Sequence, residues 1–197
     1  MKVTIDKAYP INAPASNGWI VLQDVKVVAS CMPGAEITEQ MDETHFKGQV
    51  KVKIGPATAA FKGEIELKSI DVDKRELNLL GKGSDIKGTS SATLDLIASI
   101  RDTGDGQCEL VGKSNIVVNG KFASFGGRMM DSVSDRIIQQ FADNFANKVI
   151  SLGEGAEAEA AAAKVAEVPK EFNGLAFAWQ FVMDFFKSLF GIKSKQA

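Results

Sequence analysis

The sequence predicts an α+β fold, a curved antiparallel β-sheet wrapped around one long α-helix, with a further amphipathic helix tethered behind it. Three observations predict this. From Gly120 to Leu152, Phe125, Met129, Val133, Ile137, Phe141 and Phe145 recur every fourth residue, the spacing of one helical face, while Asp131, Ser134, Asp135, Gln139 and Asp143 point outward. Between residues 46 and 118, apolar side chains recur at every second position, the spacing of one face of a sheet. Beyond Leu152 the composition shifts abruptly, first to alanine and glutamate and then to a dense aromatic stretch.

Along the chain, Val3, Ile5 and Tyr9 share one side of a first strand. From Pro14 to Cys31, Trp19, Leu22, Val25, Val28 and Ala29 fall at helical spacing, which predicts one or two short helices with Pro14 near their start. Met32, Pro33 and Gly34 stop them, because proline cannot continue the hydrogen-bond ladder. Phe46, Gly48, Val50, Val52 and Ile54 then share a strand face opposite His45, Lys47, Gln49, Lys51 and Lys53. After a turn at Gly55 and Pro56, Phe61, Gly63, Ile65 and Leu67 repeat the pattern. Leu77 and Leu79 mark a third strand of this series, Ala92 to Ile100 a fourth, and Leu110, Ile116 and Val118 a fifth. Turns are expected at 71–74, 81–88 and 102–106, where Gly, Asp and Lys gather. A meander with one wet and one apolar face buries the latter by curling around the long helix.

Composition excludes several functions. The 197 residues carry a net charge of −2 and no run of Lys or Arg that would track a phosphate backbone, so nucleic acid is not an expected partner. The N-terminal stretch MKVTIDKAYPINAP lacks the apolar core of a signal peptide, and the expected location is cytoplasmic. His45 is the only histidine and falls on the wet face of its strand, which reads as a surface residue. Cys31 and Cys108 have no CxxC partner and read as buried thiols, so no metal site is expected. Ser90, Ser91, Ser124, Ser132 and Ser134 lie in no nucleophile elbow. The glycines of GKGSDIKG (81–88) fit neither a Walker A nor a dinucleotide spacing and read as a wide hairpin turn. Arg128, beside Gly126 and Gly127, reads either as a rim residue of a cavity or as a surface ion-pair partner.

The order of elements, a strand, a helical excursion, a meander and a long helix, resembles the helix-grip fold of the START-like (SRPBCC) superfamily. More narrowly, LQDVKVVASCMPGAE (22–36), FKGQVKVKIGP (46–56), FKGEIEL (61–67), GKGSDIKG (81–88) and NGKFASFGGRM (119–129) are similar to the family of the carbon monoxide dehydrogenase G subunit. The resemblance covers roughly residues 1–150, and the Cys31–Gly34 and Gly55–Pro56 turns are its most family-like pieces. The segment GQCELVGKSNIVVNG departs from it, with Cys108 and Glu109 where apolar residues are expected. Residues 1–152 are expected to form the helix-grip domain, 153–171 a flexible Ala/Glu-rich linker, partly helical because alanine and glutamate favour helix, and 172–193 an amphipathic membrane-associating helix.

In that last segment Phe172, Leu175, Phe177, Trp179, Phe181, Val182, Phe185, Phe186, Leu189 and Phe190 form a broad apolar face, and Asn173, Gln180, Asp184, Lys187, Ser188 and Gly191 a narrow polar stripe. This geometry suits a helix lying in a membrane interface, with Lys193 and Lys195 meeting anionic headgroups. A spanning helix would hold Asp184 inside the bilayer at a cost of about 3 kcal/mol. Docking onto protein is the other use of such a face.

The resemblance implies a cavity between sheet and helix, and the expected lining is Phe46, Val50, Val52, Phe61, Ile65, Leu79, Leu94, Leu96, Phe122, Phe125, Met129, Met130, Val133, Ile137 and Phe141. Periodicity alone does not separate this hollow from a filled core. The resemblance further implies a membrane-linked accessory of a molybdenum-containing dehydrogenase. A cavity, a tether and a membrane-surface helix together point to an isoprenoid quinone, menaquinone or ubiquinone, as the bound ligand and to a carrier without chemistry of its own. A purely structural adaptor with a filled core is the first alternative. A cyclase- or hydratase-like enzyme is the second, and it would need polar groups such as Ser91, Thr93, Asn115 or Asn144 to converge inside the cavity.

Overall fold

Alternation of apolar and polar residues sets a seven-stranded antiparallel sheet in the order β1-β7-β6-β5-β4-β3-β2. The computed structural model describes residues 1–54, 57–125 and 127–166, with side chains for all of these except 53, 54, 57, 59, 125 and 127–130. The strands are β1 (Lys2–Ile11), β2 (Ala35–Gln40), β3 (His45–Ile54), β4 (Ala57–Asp71), β5 (Glu76–Asp85), β6 (Ser90–Gly104) and β7 (Gln107–Gly120). Two short helices, α1 (Ala15–Leu22) and α2 (Val25–Cys31), follow β1, and α3 (Gly127–Ile150) and α4 (Ala156–Ala166) close the described chain. The turn expected at Gly55–Pro56 and the aromatic segment 172–193 lie outside the described residues.

The expected faces meet in register. Val50 pairs with Phe61, Phe46 with Ile65, Leu67 with Leu79, Leu79 with Leu96, and Leu94 with Ile116. These residues form the concave face under α3, the helix-grip arrangement. Curvature has a local cause. Gly48, Gly63 and Gly83 pair across three strands, and a Cβ built on Gly63 would stand 2.1 Å from the Lys82 carbonyl oxygen. With no side chain there, neighbouring strands fold toward one another.

One end of the grip is sealed. Ile11, Trp19, Leu22, Leu77, Ile100, Cys108, Leu110, Phe145 and Val149 pack together where α1 and the C-terminal half of α3 meet the sheet. Asp24 caps α2 by accepting from the backbone N–H groups of Lys26 (2.9 Å) and Val27 (3.1 Å). Asn144 of α3 donates to the Cys31 carbonyl at the other end of α2 (2.9 Å), which fixes the two helices together.

The structure corrects the sequence expectations at four places. Strand β2 is additional to the expected strands: of its six residues AEITEQ only Ile37 is large and apolar, because as an edge strand with one neighbour it is stabilised by Gln49–Glu36 and Lys47–Glu39 pairs instead. The turn expected over 81–88 is confined to residues 86–89, since β5 runs on through Gly81 and Gly83 to Asp85. Asp85 closes that turn by accepting from Thr89 N (2.6 Å), Thr89 Oγ1 (2.9 Å) and Ser90 N (3.1 Å).

The long helix starts at Gly127 rather than Gly120, with a 3-10 turn over Lys121–Phe125 before it. Gly120 has φ +80°, and the Lys121 and Phe122 N–H groups are taken by Thr89 O and Ser90 Oγ, so this stretch is held by the β5–β6 turn. Finally, the linker, expected to be partly helical but without firm packing, forms helix α4 over residues 156–166 and packs on α3 with Ala158 and Ala161 buried. Asn12 Nδ2 donates to Glu157 Oε1 at 3.0 Å. Alanines three apart on one helical face bring two backbones close, a packing mode that does not need large apolar residues.

Candidate functional site

Burial along the concave face is uneven. Phe46 and Leu79 belong to the sealed core, whereas Val50, Val52, Phe61, Ile65, Leu94, Leu96 and Phe122 on the sheet side and Val133, Ile137 and Phe141 on α3 are only half-buried. Of the half-buried set, Ile65, Leu96 and Phe141 pack against the sealed core, and the others lie toward the end of the sheet where β7 leaves and α3 begins, opposite α1. Phe61 and Phe122 face each other there at 5.5 Å between ring centroids, tilted by 45°. Phe141 meets Phe145 at 6.0 Å and marks the passage to the sealed end. Phe125, Met129 and Met130, expected in the lining, and Arg128, expected at its rim, have side chains outside the described set. Two hollows lie away from this wall. One, of about 490 Å³, runs between α2 and β2 beside Lys26, Ser30 and Glu36; the other, of about 360 Å³, sits at the glycine bend among Lys62, Glu64, Lys82 and Thr93. Both mix charged and small side chains and offer no apolar enclosure.

Polar groups lie mainly around the wall. Lys7 of β1 contacts Asp135 of α3 at 2.6 Å across the seam between sheet and helix, and this hydrogen bond raises the Lys7 pKa above its ordinary value. Tyr9, two residues along the same face, is half-buried, and burial raises its phenol. The residues whose convergence would signal an enzyme do not meet inside. Ser91 and Thr93 alternate with the concave Ala92 and Leu94 and so take the opposite face of β6; Asn115 accepts from Thr4 on the exposed side, and Asn144 is committed to Cys31. His45 is exposed with Nδ1 3.0 Å from Asp42, whose carboxyl is lowered to about 2, chiefly by the Thr44 backbone N–H and then by the His45 ring. Among the described residues no group of three or more His, Cys, Asp or Glu is placed to hold a metal.

Both thiols are buried and free. Burial pushes Cys31 up to about 11 and raises Cys108. Both are therefore expected to resist iodoacetamide at pH 8 in the folded protein and to react once urea unfolds it; rapid labelling of the native chain would contradict this packing. An unfolded thiol ionises near 9.0 while folded Cys31 holds its proton to about 11, so its contribution to stability is present below pH 9 and is lost as pH rises toward 11.

The arrangement is thus a curved sheet gripping one helix, closed at one end and apolar but accessible at the other. A family model described as the carbon monoxide dehydrogenase G subunit (CoxG) matches residues 9–150, from β1 to the end of α3. The chain belongs to the CoxG family. The match bears out the resemblance carried by the sequence motifs, and it ends before α4. No curated protein matches the sequence. Solved structures similar to this CoxG family member include a conserved protein from Geobacillus kaustophilus, with TM-score 0.67 and 19% identity over 75% of this chain and 95% of that one. The ZhuI aromatase/cyclase from Streptomyces sp. R1128 aligns with TM-score 0.55 and 14% identity over 76% and 94%. A START superfamily protein from Mycobacterium smegmatis aligns with TM-score 0.54 and 13% identity over 76% and 99%. At these identities the likeness establishes the START-like fold alone. Among the described residues no helix of this CoxG family member is long and apolar enough to cross a membrane.

Proposed function

We propose that this CoxG family member is a non-enzymatic accessory protein. It holds an isoprenoid quinone, menaquinone or ubiquinone, against the concave wall and links a cytoplasmic molybdenum hydroxylase such as carbon monoxide dehydrogenase to the membrane respiratory chain. The observation that carries the reading is the half-buried apolar wall facing α3, continuous with a core that seals only its far end. An apolar surface that a folded domain leaves accessible is where a bulky apolar ligand gains most by binding. The aromatic segment 172–193 supplies the lipid contact in this scheme, on the inner face of the cell membrane, and the stretch between α4 and that segment is the tether that raises the effective concentration there. Ser91, Thr93, Asn115 and Asn144, the polar groups a cyclase would bring together, do not converge on the described wall, which favours a carrier.

Mass spectrometry of organic extracts tests this, on the full chain and on one ending at Ala166, which keeps α4. Near-stoichiometric menaquinone or ubiquinone in both, with liposome binding only by the full chain, is the expected result. Empty extracts from both, with liposome binding still lost on truncation, would leave a structural adaptor with a filled core.

A further inference from the structure

Within the strands of the concave wall, Ser114 carries a hydroxyl that the apolar lining does not account for. On β7 the inward positions are Leu110, Gly112, Ser114, Ile116 and Val118, and Ser114 pairs with Ile5 on one side and Leu96 on the other. It is 6% exposed, yet its hydroxyl makes no hydrogen bond to the protein. The sealed unpaired polar atoms among the described residues are the amide oxygens of Asn78 and Gln140, and Ser114 Oγ is not one of them; it therefore borders open space. A second observation places that space. Gly112, the next inward residue, has no atom within 4 Å of where a Cβ would stand, and its cross-strand partners are the small Ala98 and Lys7, whose side chain leaves toward Asp135. A recess thus opens in the wall at Gly112, between the buried Ala98 and the Lys7–Asp135 pair, with an unpaired donor at its edge.

We propose that Ser114 is the polar anchor of the bound ligand, its Oγ–H donating to a carbonyl oxygen of the quinone ring while the ring occupies the recess at Gly112. This rests on the carrier reading and deepens it. A hydroxyl in apolar surroundings without a partner is unfavourable in the empty protein, and a ligand carbonyl that accepts from it removes that penalty. A quinone offers such an acceptor on an otherwise apolar frame. The Leu94 and Leu96 side of the wall then receives the isoprenoid tail, and Lys7 and Asp135 stand at the seam where the ring end reaches solvent.

The test uses the full chain and two probes of one shape, 2-methyl-1,4-naphthoquinone and 2-methylnaphthalene, which lacks the carbonyls. Dissociation constants are read by calorimetry for wild type, Ser114→Ala and Gly112→Val. Wild type should bind the quinone more tightly. Ser114→Ala should weaken the quinone about fivefold to tenfold, the worth of one hydrogen bond, and leave 2-methylnaphthalene unchanged. Gly112→Val should weaken both probes by filling the recess. Equal quinone affinity in wild type and Ser114→Ala overturns the anchor while the carrier reading stands. Failure of wild type to bind either probe overturns both.

Discussion

Gly63→Ala is expected to destabilise the domain by about 3 kcal/mol, at the upper end of the cost of overpacking, although one methyl group is all it adds. The added Cβ would stand 2.1 Å from the Lys82 carbonyl oxygen and 2.7 Å from the Gly83 Cα. Both are backbone atoms, so no rotamer change relieves the clash and β4 and β5 must part. Gly112→Ala is the matched control. Its Cβ meets nothing within 4 Å, and the smaller freedom of alanine in the unfolded chain should leave that variant as stable as wild type or more stable by about 0.5 kcal/mol. Urea midpoints of the two variants, at equal slope, measure the difference. Equal midpoints would mean that the bend does not depend on the bare backbone at Gly63. Because the Gly48–Gly63–Gly83 row gives the wall its curvature, Gly63→Ala should also lose ligand in the extraction assay, even at temperatures where it stays folded.

Phe145→Ala should cost about 4 kcal/mol. Phe145 is 0% exposed and sits where α1, α3 and the strand ends converge, so its removal opens a cavity that the surrounding Leu22, Ile100 and Val149 cannot refill without moving backbone. Ile137→Ala, two turns earlier on the same helical face but only half-buried, should cost less than half as much, because part of its surface already meets open space. Thermal or urea unfolding of the pair decides this. If Ile137→Ala proves as damaging as Phe145→Ala, the grip is as tightly filled at the α3 start as at its end, and the hollow disappears with that result.

The faces of the sheet were legible because period-two alternation is a direct record of which side each residue takes: Val50, Phe61, Ile65, Leu94 and Leu96 all arrive on the concave side, in register. Phe145 was legible from the fourfold spacing. Strand β2 was not, since an edge strand with one large apolar residue and two glutamates is held by cross-strand polar pairs that a search for apolar periodicity does not detect. The helical tendency of the Ala/Glu stretch was legible, but the packing of α4 on α3 was not, its contact being made by Ala158 and Ala161, residues that signal flexibility by composition and close packing only by position. The hollow that the carrier reading requires is a distance between two faces, and periodicity fixes orientation without fixing separation. Ser114 illustrates the limit: one serine among Leu110, Ile116 and Val118 looks like a weak point in a strand until the pairing shows that it has no partner and has Gly112 beside it.

The sealed α1 end and the accessible α3 start belong to one sheet, yet they bear on different properties of the molecule. Cooperative unfolding is governed by side chains such as Trp19, Leu77 and Phe145, whose cluster reaches the recess at Gly112 through the buried Ala98. Substitutions at Val50, Leu94 or Val133 can therefore reshape what the wall accommodates with little effect on whether the chain folds. Such a scaffold can be fitted to a longer, broader or more polar guest one side chain at a time, because binding volume and fold stability are written into separate stretches of the same strands.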